Sequence, residues 1–170
     1  MPFLVGPNFQ LAKSSGVTAI MNILRSESTG SIHVTSTSPR TPPAVRFNFL
    51  SAQLDREVTL EAMRMTRRIM TAAPMRGIAN QETAPGIDLQ SDDELLDWVR
   101  KNAETTYHPV GTCKMGSDPM GVVDDQLRVH GLQGLRVADA SIMPTLTSGN
   151  TNAPSIMIGE KASRLVLADA

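Results

Sequence analysis

The chain has 170 residues, with sixteen basic and seventeen acidic side chains and a formal net charge of −1 at pH 7. This balance gives no support for binding to nucleic acid or to a charged membrane surface, because both need clustered positive charge. A single cysteine excludes an internal disulfide bond and a metal site made only of cysteines. No apolar run is long enough to span a membrane, and the first residues lack a secretory signal. The expected location is therefore the cytoplasm.

The first third of the chain predicts short strands separated by turns. Residues 1–15 have no clear periodicity and are expected to be irregular. The apolar run 17–25 and the alternating run 31–37 indicate two strands joined in a hairpin. Prolines in 38–44 exclude regular structure there, and apolar residues at alternate positions in 45–49 indicate another short strand.

Two helices are predicted in the middle of the chain. Residues 55–73 carry a wide apolar stripe at helical spacing, opposite a set of arginines. A loop is expected over 81–90. Ser91 and Glu94 then form the pattern of a capping box, with Ser91 as the N-cap of a second helix over the residues that follow.

The pattern changes after residue 105. The run 105–125 is rich in glycine, proline, serine and threonine and has little periodicity, and a loop of this length in a compact domain is usually functional. Residues 134–141 predict a short buried strand. Residues 153–170 predict a buried helix, with Asn152 available as its N-cap and Pro154 allowed in its first turn.

Three side chains are candidates for chemistry. His108 precedes Pro109 on a constrained loop, and histidine is suited to proton transfer near neutral pH, although the residues alone favour a surface or structural role. Asp139 lies at the end of the predicted strand, where it could contact a ligand or simply cap a local turn. Cys113 has no base beside it in the motif, which favours an inert thiol over a nucleophile.

Three longer motifs follow one another in the C-terminal half: YHPVGTCKMG (107–116), VVDDQLRVHGLQGLRVADASIMP (122–144) and TSGNTNAPSIMIGEKAS (147–163). Together they resemble the C-terminal part of the glucose–methanol–choline (GMC) flavoprotein oxidoreductases. Residues 24–51 look like the strand pair of that family, and residues 88–116 look like its helix leading into the active-site loop.

The resemblance implies an α+β fold within a larger two-domain flavoenzyme. Residues 1–115 would belong to the substrate-binding domain, an antiparallel sheet with helices on one face. Residues 116–170 would supply the last strand and helix of a Rossmann-like FAD-binding domain. Thr29 and Ser38 replace an arginine and an aspartate of the family pattern, which affects structure and not chemistry. The G-x-G-x-x-G loop of the family is not found in these residues, so the chain is expected to be a C-terminal fragment whose FAD-binding part lies upstream in the same protein.

The implied function is oxidation of a small-molecule alcohol to an aldehyde or ketone, by hydride transfer to FAD. His108 would be the general base, and Asn150 would be its partner and orient the alcohol. The identity of the alcohol stays open, and so does the electron acceptor, which is oxygen or a quinone-like carrier. A lyase-type member without net oxidation and a non-catalytic binding fragment are the alternatives.

The resemblance also implies residues that contact the cofactor. Asp139 and Ala140 match the segment near the ribityl and pyrophosphate groups of FAD. Asn152 and Ala153 match the backbone beside the flavin pyrimidine edge, at a helix N-terminus that would stabilise negative charge. Val110 would pack near the isoalloxazine ring. No metal is implied.

Overall fold

The computed structural model describes residues 2–5 and 10–169. The chain divides into two compact units, each with its own core. The helical unit comprises Met1–Ile23 and Leu50–Thr106, and the site unit comprises Leu24–Phe49 and Tyr107–Ala170. The described residues contain helices and two separate two-stranded antiparallel sheets, which confirms the α+β class. The predicted domain division after residue 115 concerns the larger enzyme and stays a prediction.

The helical unit contains a pair of strands that the sequence did not predict. Strand β1 (Pro2–Val5) pairs antiparallel with strand β2 (Gln10–Ser15), with Leu4 opposite Leu11. The prediction of irregular structure over 1–15 is therefore wrong where the chain is described, and residues 1 and 6–9 lie outside the described residues. The pairing of β1 with β2 depends on backbone hydrogen bonds between the two segments. The side chains of residues 1–15 show no clear periodicity that would have indicated these strands.

The second sheet belongs to the site unit. Strand β3 (Ser31–His33) pairs antiparallel with strand β4 (Ala44–Arg46), so both predicted strands exist but are shorter than expected. The predicted hairpin between 17–25 and 31–37 is wrong, because β3 takes β4 as its partner and 17–25 is not a strand. Gly30 permits this pairing, since a Cβ atom there would overlap the carbonyl oxygen of Arg46.

Helices α1 (Gln53–Met70) and α2 (Asp92–Asn102) match the two predicted helices closely. The capping box is present at α2, where Ser91 Oγ accepts a hydrogen bond from the Glu94 N–H at 3.3 Å. The Glu94 carboxylate accepts one from the Ser91 N–H at 3.0 Å in return. Together α1 and α2 bury the core of the helical unit, which consists of Leu60, Met63, Leu95, Leu96 and Val99.

Arg67 ties the predicted loop after α1 to the helix. Its Nη2 donates to Glu82 Oε1 at 2.8 Å, and both side chains are about four-fifths buried, with exposures of 18% and 21%. The same guanidinium donates to the carbonyl oxygens of Leu89 at 2.9 Å and Gly86 at 3.0 Å. The loop over 81–90 is thus irregular, as predicted, but firmly held.

Most of the site unit after residue 106 is irregular up to helix α3 (Asn152–Ala168). The predicted strand at 134–141 is not formed, because Arg136 makes only an isolated bridge with Arg128 and Ala140–Ile142 is a 3-10 turn. The core of the unit consists of Val123, Leu127, Ile142, Met143, Ile158 and Ala162. None of the helices in the described part of the chain is long and apolar enough to cross a membrane.

Candidate active site

His108 is held by a side chain that lies 43 residues further along the chain. Its Nδ1 atom is 2.8 Å from Oγ1 of Thr151, which immediately precedes α3. The imidazole is half-buried, and Thr151 is buried with an exposure of 7%. Tyr107, just before the histidine, has a φ of +60°, a value that non-glycine residues rarely adopt outside constrained sites. The local backbone and the threonine together restrict where the ring can lie.

The loop that follows His108 is paired to the turn that contains Asp139. Gly111 has a φ of +85°, and a Cβ atom there would lie 3.4 Å from the Met143 carbonyl oxygen, so glycine suits the position. Two residues later, the Cys113 N–H donates to the Ser141 carbonyl oxygen at 3.0 Å. The histidine loop and this turn therefore form one hydrogen-bonded segment.

Asp139 caps the 3-10 turn Ala140–Ile142. Its Oδ1 accepts a hydrogen bond from the Ser141 N–H at 2.7 Å. Hydrogen bonds from the Ser141 hydroxyl and from this N–H lower the pKa of the Asp139 carboxyl below its usual value. The side chain is exposed and ionised at neutral pH. The local cap, one of the two interpretations of Asp139, is present, and its contact with FAD stays a prediction.

The N-terminus of α3 differs from the prediction. The N-cap is Thr151 and not Asn152, and the Thr151 side chain makes no capping hydrogen bond. The segment Asn150–Asn152 offers three residues that commonly cap helices, so the sequence alone could not decide among them. No acidic side chain lies in the first turn, and Pro154 has no N–H. The first N–H groups of α3 therefore have no partner within the helix and favour a negative charge.

The other predicted site residues fall into two groups. Asn150, Asn152 and Ala153 are exposed and flank Thr151 in the chain, so they lie next to the residue that holds His108. Val110 and Ala140 are half-buried and pack against the core of the site unit. Within residues 2–5 and 10–169, no three histidine, cysteine or acidic side chains are grouped as metal ligands would be.

Two contacts in the site were missed by the sequence analysis. Thr151 was missed because the sequence predicts its neighbour Asn152 as the N-cap of α3. Arg25 was missed because its partner is distant in sequence: its Nε donates to Ser148 Oγ at 2.6 Å and holds the loop that carries Asn150. No periodic or motif signal points to Arg25, since only the folded chain brings it to this loop.

Comparison with known proteins identifies the class. The sequence profile of the GMC oxidoreductase family matches residues 26–159, and the chain belongs to that family. The family resemblance of the three motifs is thereby confirmed.

The choline dehydrogenases that resemble this chain are several times longer than it is. The oxygen-dependent choline dehydrogenase of Cronobacter sakazakii is 48% identical over 149 residues, covering 88% of this chain and 27% of that protein. Its counterpart in Pseudomonas savastanoi pv. phaseolicola is 50% identical over 146 residues, covering 86% and 26%. The chain thus spans about a quarter of the length of these relatives.

Solved structures of similar fold include two oxidases. Pyridoxine 4-oxidase from Mesorbium loti is 34% identical with a TM-score of 0.79, covering 83% of this chain and 28% of that one. A fungal aryl-alcohol oxidase is 32% identical with a TM-score of 0.75, covering 82% and 23%.

Proposed function

We propose that this chain carries the proton-accepting part of an FAD-dependent enzyme that oxidises an alcohol to an aldehyde or ketone. The observation that carries the proposal is the 2.8 Å contact between His108 Nδ1 and Thr151 Oγ1. This contact joins a possible general base to the start of α3, where backbone N–H groups favour negative charge. Membership of the GMC family and the names of the similar proteins support the same chemistry.

His108 is the general base of the proposed reaction. Its Nδ1 is engaged by Thr151, and its Nε2 makes no hydrogen bond to any residue in the described part of the chain. Nε2 is therefore the atom that accepts the hydroxyl proton of the alcohol. Removing this proton raises the electron density on the oxygen and favours loss of hydride from the adjacent carbon.

Asn150 orients the alcohol in this scheme. A side-chain amide both donates and accepts hydrogen bonds but does not change its protonation state. Asn150→Ala is therefore expected to slow turnover less than His108→Ala does, and to leave the flavin bound. Loss of flavin from the Asn150→Ala enzyme would contradict this role, and the flavin absorbance of the purified protein measures it.

FAD, when bound, supplies the hydride acceptor. The residues present fit such a group: the first turn of α3 has unpaired N–H groups and no acid, and Val110 and Ala140 offer apolar surface. We assign the N–H groups of Asn152 and Ala153 to compensating negative charge on the cofactor. Asp139 would contact a polar part of FAD with the oxygen lone pairs that Ser141 leaves free.

The substrate and the electron acceptor are proposed by analogy with the similar proteins. The similar proteins named as oxygen-dependent choline dehydrogenases favour a choline-type primary alcohol as substrate and oxygen over a quinone-like carrier as acceptor. We also propose that residues 116–170 complete a Rossmann-like FAD-binding domain formed mainly by upstream residues of the same protein. A cytoplasmic location is part of the proposal.

The test uses a graft, in which the matching 149 residues of the Cronobacter sakazakii choline dehydrogenase are replaced by those of this chain. The grafted choline dehydrogenase is expected to bind FAD and to lose its flavin colour when choline is added without oxygen. Product release without bleaching would favour the lyase-type alternative. A graft that binds FAD but neither bleaches nor forms product would favour the non-catalytic alternative.

A further inference from the structure

Thr151 differs from the other buried threonine among the described residues. Thr59 has an exposure of 8%, and its hydroxyl donates to the Asp55 carbonyl oxygen at 2.7 Å, one turn earlier in the same helix. Thr151 has an exposure of 7%, but its hydroxyl contacts the ring of His108, which is distant in sequence. A buried hydroxyl used in this way connects two segments of the chain.

The backbone of Thr151 is held independently of its side chain. Its carbonyl oxygen accepts hydrogen bonds from the Ser155 N–H at 3.0 Å and from Ser155 Oγ at 2.6 Å. Its φ of −84° and ψ of 0° differ from the extended conformation of Ser91, the N-cap of α2, whose ψ is 156°. Thr151 is thus anchored by the first turn of α3, while its hydroxyl is directed to the imidazole and not to the helix N–H groups.

We propose that Thr151 is a positioning residue that selects the tautomer of His108. Its Oγ1 accepts a hydrogen bond from the Nδ1–H of the imidazole, and the lone pair of Nε2 is left to take the proton of the alcohol. This inference rests on the proposed function, in which His108 is the general base.

The direction of the hydrogen bond follows from the chemistry of imidazole. If the hydroxyl donated to Nδ1, the neutral ring would carry its proton on Nε2 and could not act as a base there. That bond would also be lost on protonation, because both nitrogens of an imidazolium ion are donors. A hydroxyl that accepts from Nδ1–H keeps its bond in both protonation states, which a general base requires throughout the reaction.

The first test reads the tautomer directly at alkaline pH, by ¹⁵N NMR of the grafted choline dehydrogenase labelled with ¹⁵N-histidine. His108 is expected to carry its proton on Nδ1 in the unaltered chain and in Thr151→Ser. In Thr151→Val, which keeps the shape but lacks the hydroxyl, the Nε2–H form should increase. His130 is the internal reference: its Nε2 lies 2.9 Å from the Gly116 carbonyl oxygen and must donate. A proton on Nε2 of His108 in the unaltered chain would overturn the inference.

The second test measures turnover in the grafted choline dehydrogenase. Thr151→Val is expected to lower kcat about 10-fold to 100-fold with little change in KM, the scale of a misplaced catalytic group. Thr151→Ser should restore most of the rate. Thr59→Val is the matched control, because it removes an equally buried hydroxyl from the helical unit and should leave kcat unchanged.

The outcomes separate this inference from the proposed function. If His108→Ala turns over like the unaltered graft, His108 is not the base and the proposed function fails. If His108→Ala is impaired but Thr151→Val is not, only the role of Thr151 fails. If Thr151→Val loses flavin or does not fold, the role of Thr151 is judged from two other results. These are the turnover rate of Thr151→Ser and the tautomer of His108 in the unaltered protein. A Thr151→Ser enzyme as slow as His108→Ala, with flavin bound, would also contradict the inference.

Discussion

The two units satisfy their backbone hydrogen bonds in different ways. In α1 and α2 of the helical unit, the bonds lie between residues one turn apart. In the site unit, irregular segments pair with one another: the Met115 N–H donates to the Ile142 carbonyl oxygen at 2.8 Å, and the Val137 N–H donates to that of Leu127 at 3.1 Å. The irregular segments of the site unit therefore pair backbone groups with one another, as buried backbone groups require.

Both units also bury apolar side chains. Leu95 of α2 has an exposure of 1%, and Val123, in an irregular segment, has an exposure of 0%. The core of the site unit thus takes Ile158 and Ala162 from α3 and its other buried side chains from irregular segments and the 3-10 turn. For the proposed chemistry this matters because His108 and α3 belong to the same packed unit.

The largest expected effect separates a histidine of the site from one of a strand. His108→Ala in the grafted choline dehydrogenase should lower kcat/KM for choline by about 100-fold or more, the usual contribution of a general base. His33 is the matched control, since it lies exposed in β3, and His33→Ala should leave the rate unchanged. If His108→Ala has the same kcat/KM as His33→Ala and the unaltered graft, His108 is not the general base.

The second prediction compares the packing of the two cores with the same substitution. Met63 of the helical unit and Met143 of the site unit have exposures of 3% and 6%. Each change to alanine should lower the free energy of unfolding of its own unit by about 2–5 kcal/mol. Hydrogen exchange of amides in each unit measures both values. A cost below about 1 kcal/mol for Met143→Ala alone would mean that the core of the site unit is less tightly packed than that of the helical unit.

The difference between the units also explains which parts of the fold could be predicted. Helices α1 and α2 and the capping box at Ser91 were predicted because their determinants lie within a few residues of one another. Strand β3 was predicted to pair with residues 17–25, but its partner is β4. The strand predicted at 134–141 is not formed. Both errors concern which segments of the chain pair with each other, and the pattern within one segment does not specify its partner.

The site was predicted in a different way. The family resemblance implied the roles of His108 and Asn150 and the contact of the start of α3 with the cofactor. The contact between His108 and Thr151 was not predicted, because capping rules treat a threonine before a helix as a partner of that helix. The hydrogen bond between Arg25 and Ser148 was not predicted either, because its two residues are 123 positions apart and no local pattern connects them.

The third prediction concerns the loop that carries His108. Gly111→Ala should lower the stability of the site unit by about 1–3 kcal/mol, because its φ of +85° is unfavourable for alanine. Faster hydrogen exchange at the amide of Cys113, which donates to Ser141, measures the effect. Gly77→Ala is the control, because a Cβ atom there meets nothing within 4 Å. Equal exchange rates in both variants would show that the loop does not depend on this glycine.

The smallest expected effect lies in the capping box of the helical unit. Ser91→Ala should lower the free energy of unfolding by about 1 kcal/mol at neutral pH, the usual value of a helix N-cap. Hydrogen bonds from the Ser91 N–H and hydroxyl, and from the Gln90 N–H, lower the pKa of the Glu94 carboxyl. A carboxyl with a lowered folded-state pKa stabilises the fold above its unfolded pKa, and this contribution is lost as the pH falls through the folded value. The stability difference between the unaltered chain and Ser91→Ala should therefore shrink in acid, as Glu94 becomes protonated.

Urea titrations followed by the fluorescence of Trp98, the single tryptophan and a residue of α2, measure this difference at each pH. A difference that stays constant from neutral to acidic pH would mean that the hydrogen bond from the Ser91 hydroxyl to the Glu94 carboxylate adds nothing to the cap, because the bonds from the Ser91 and Gln90 N–H groups are present in both proteins and cancel in the difference.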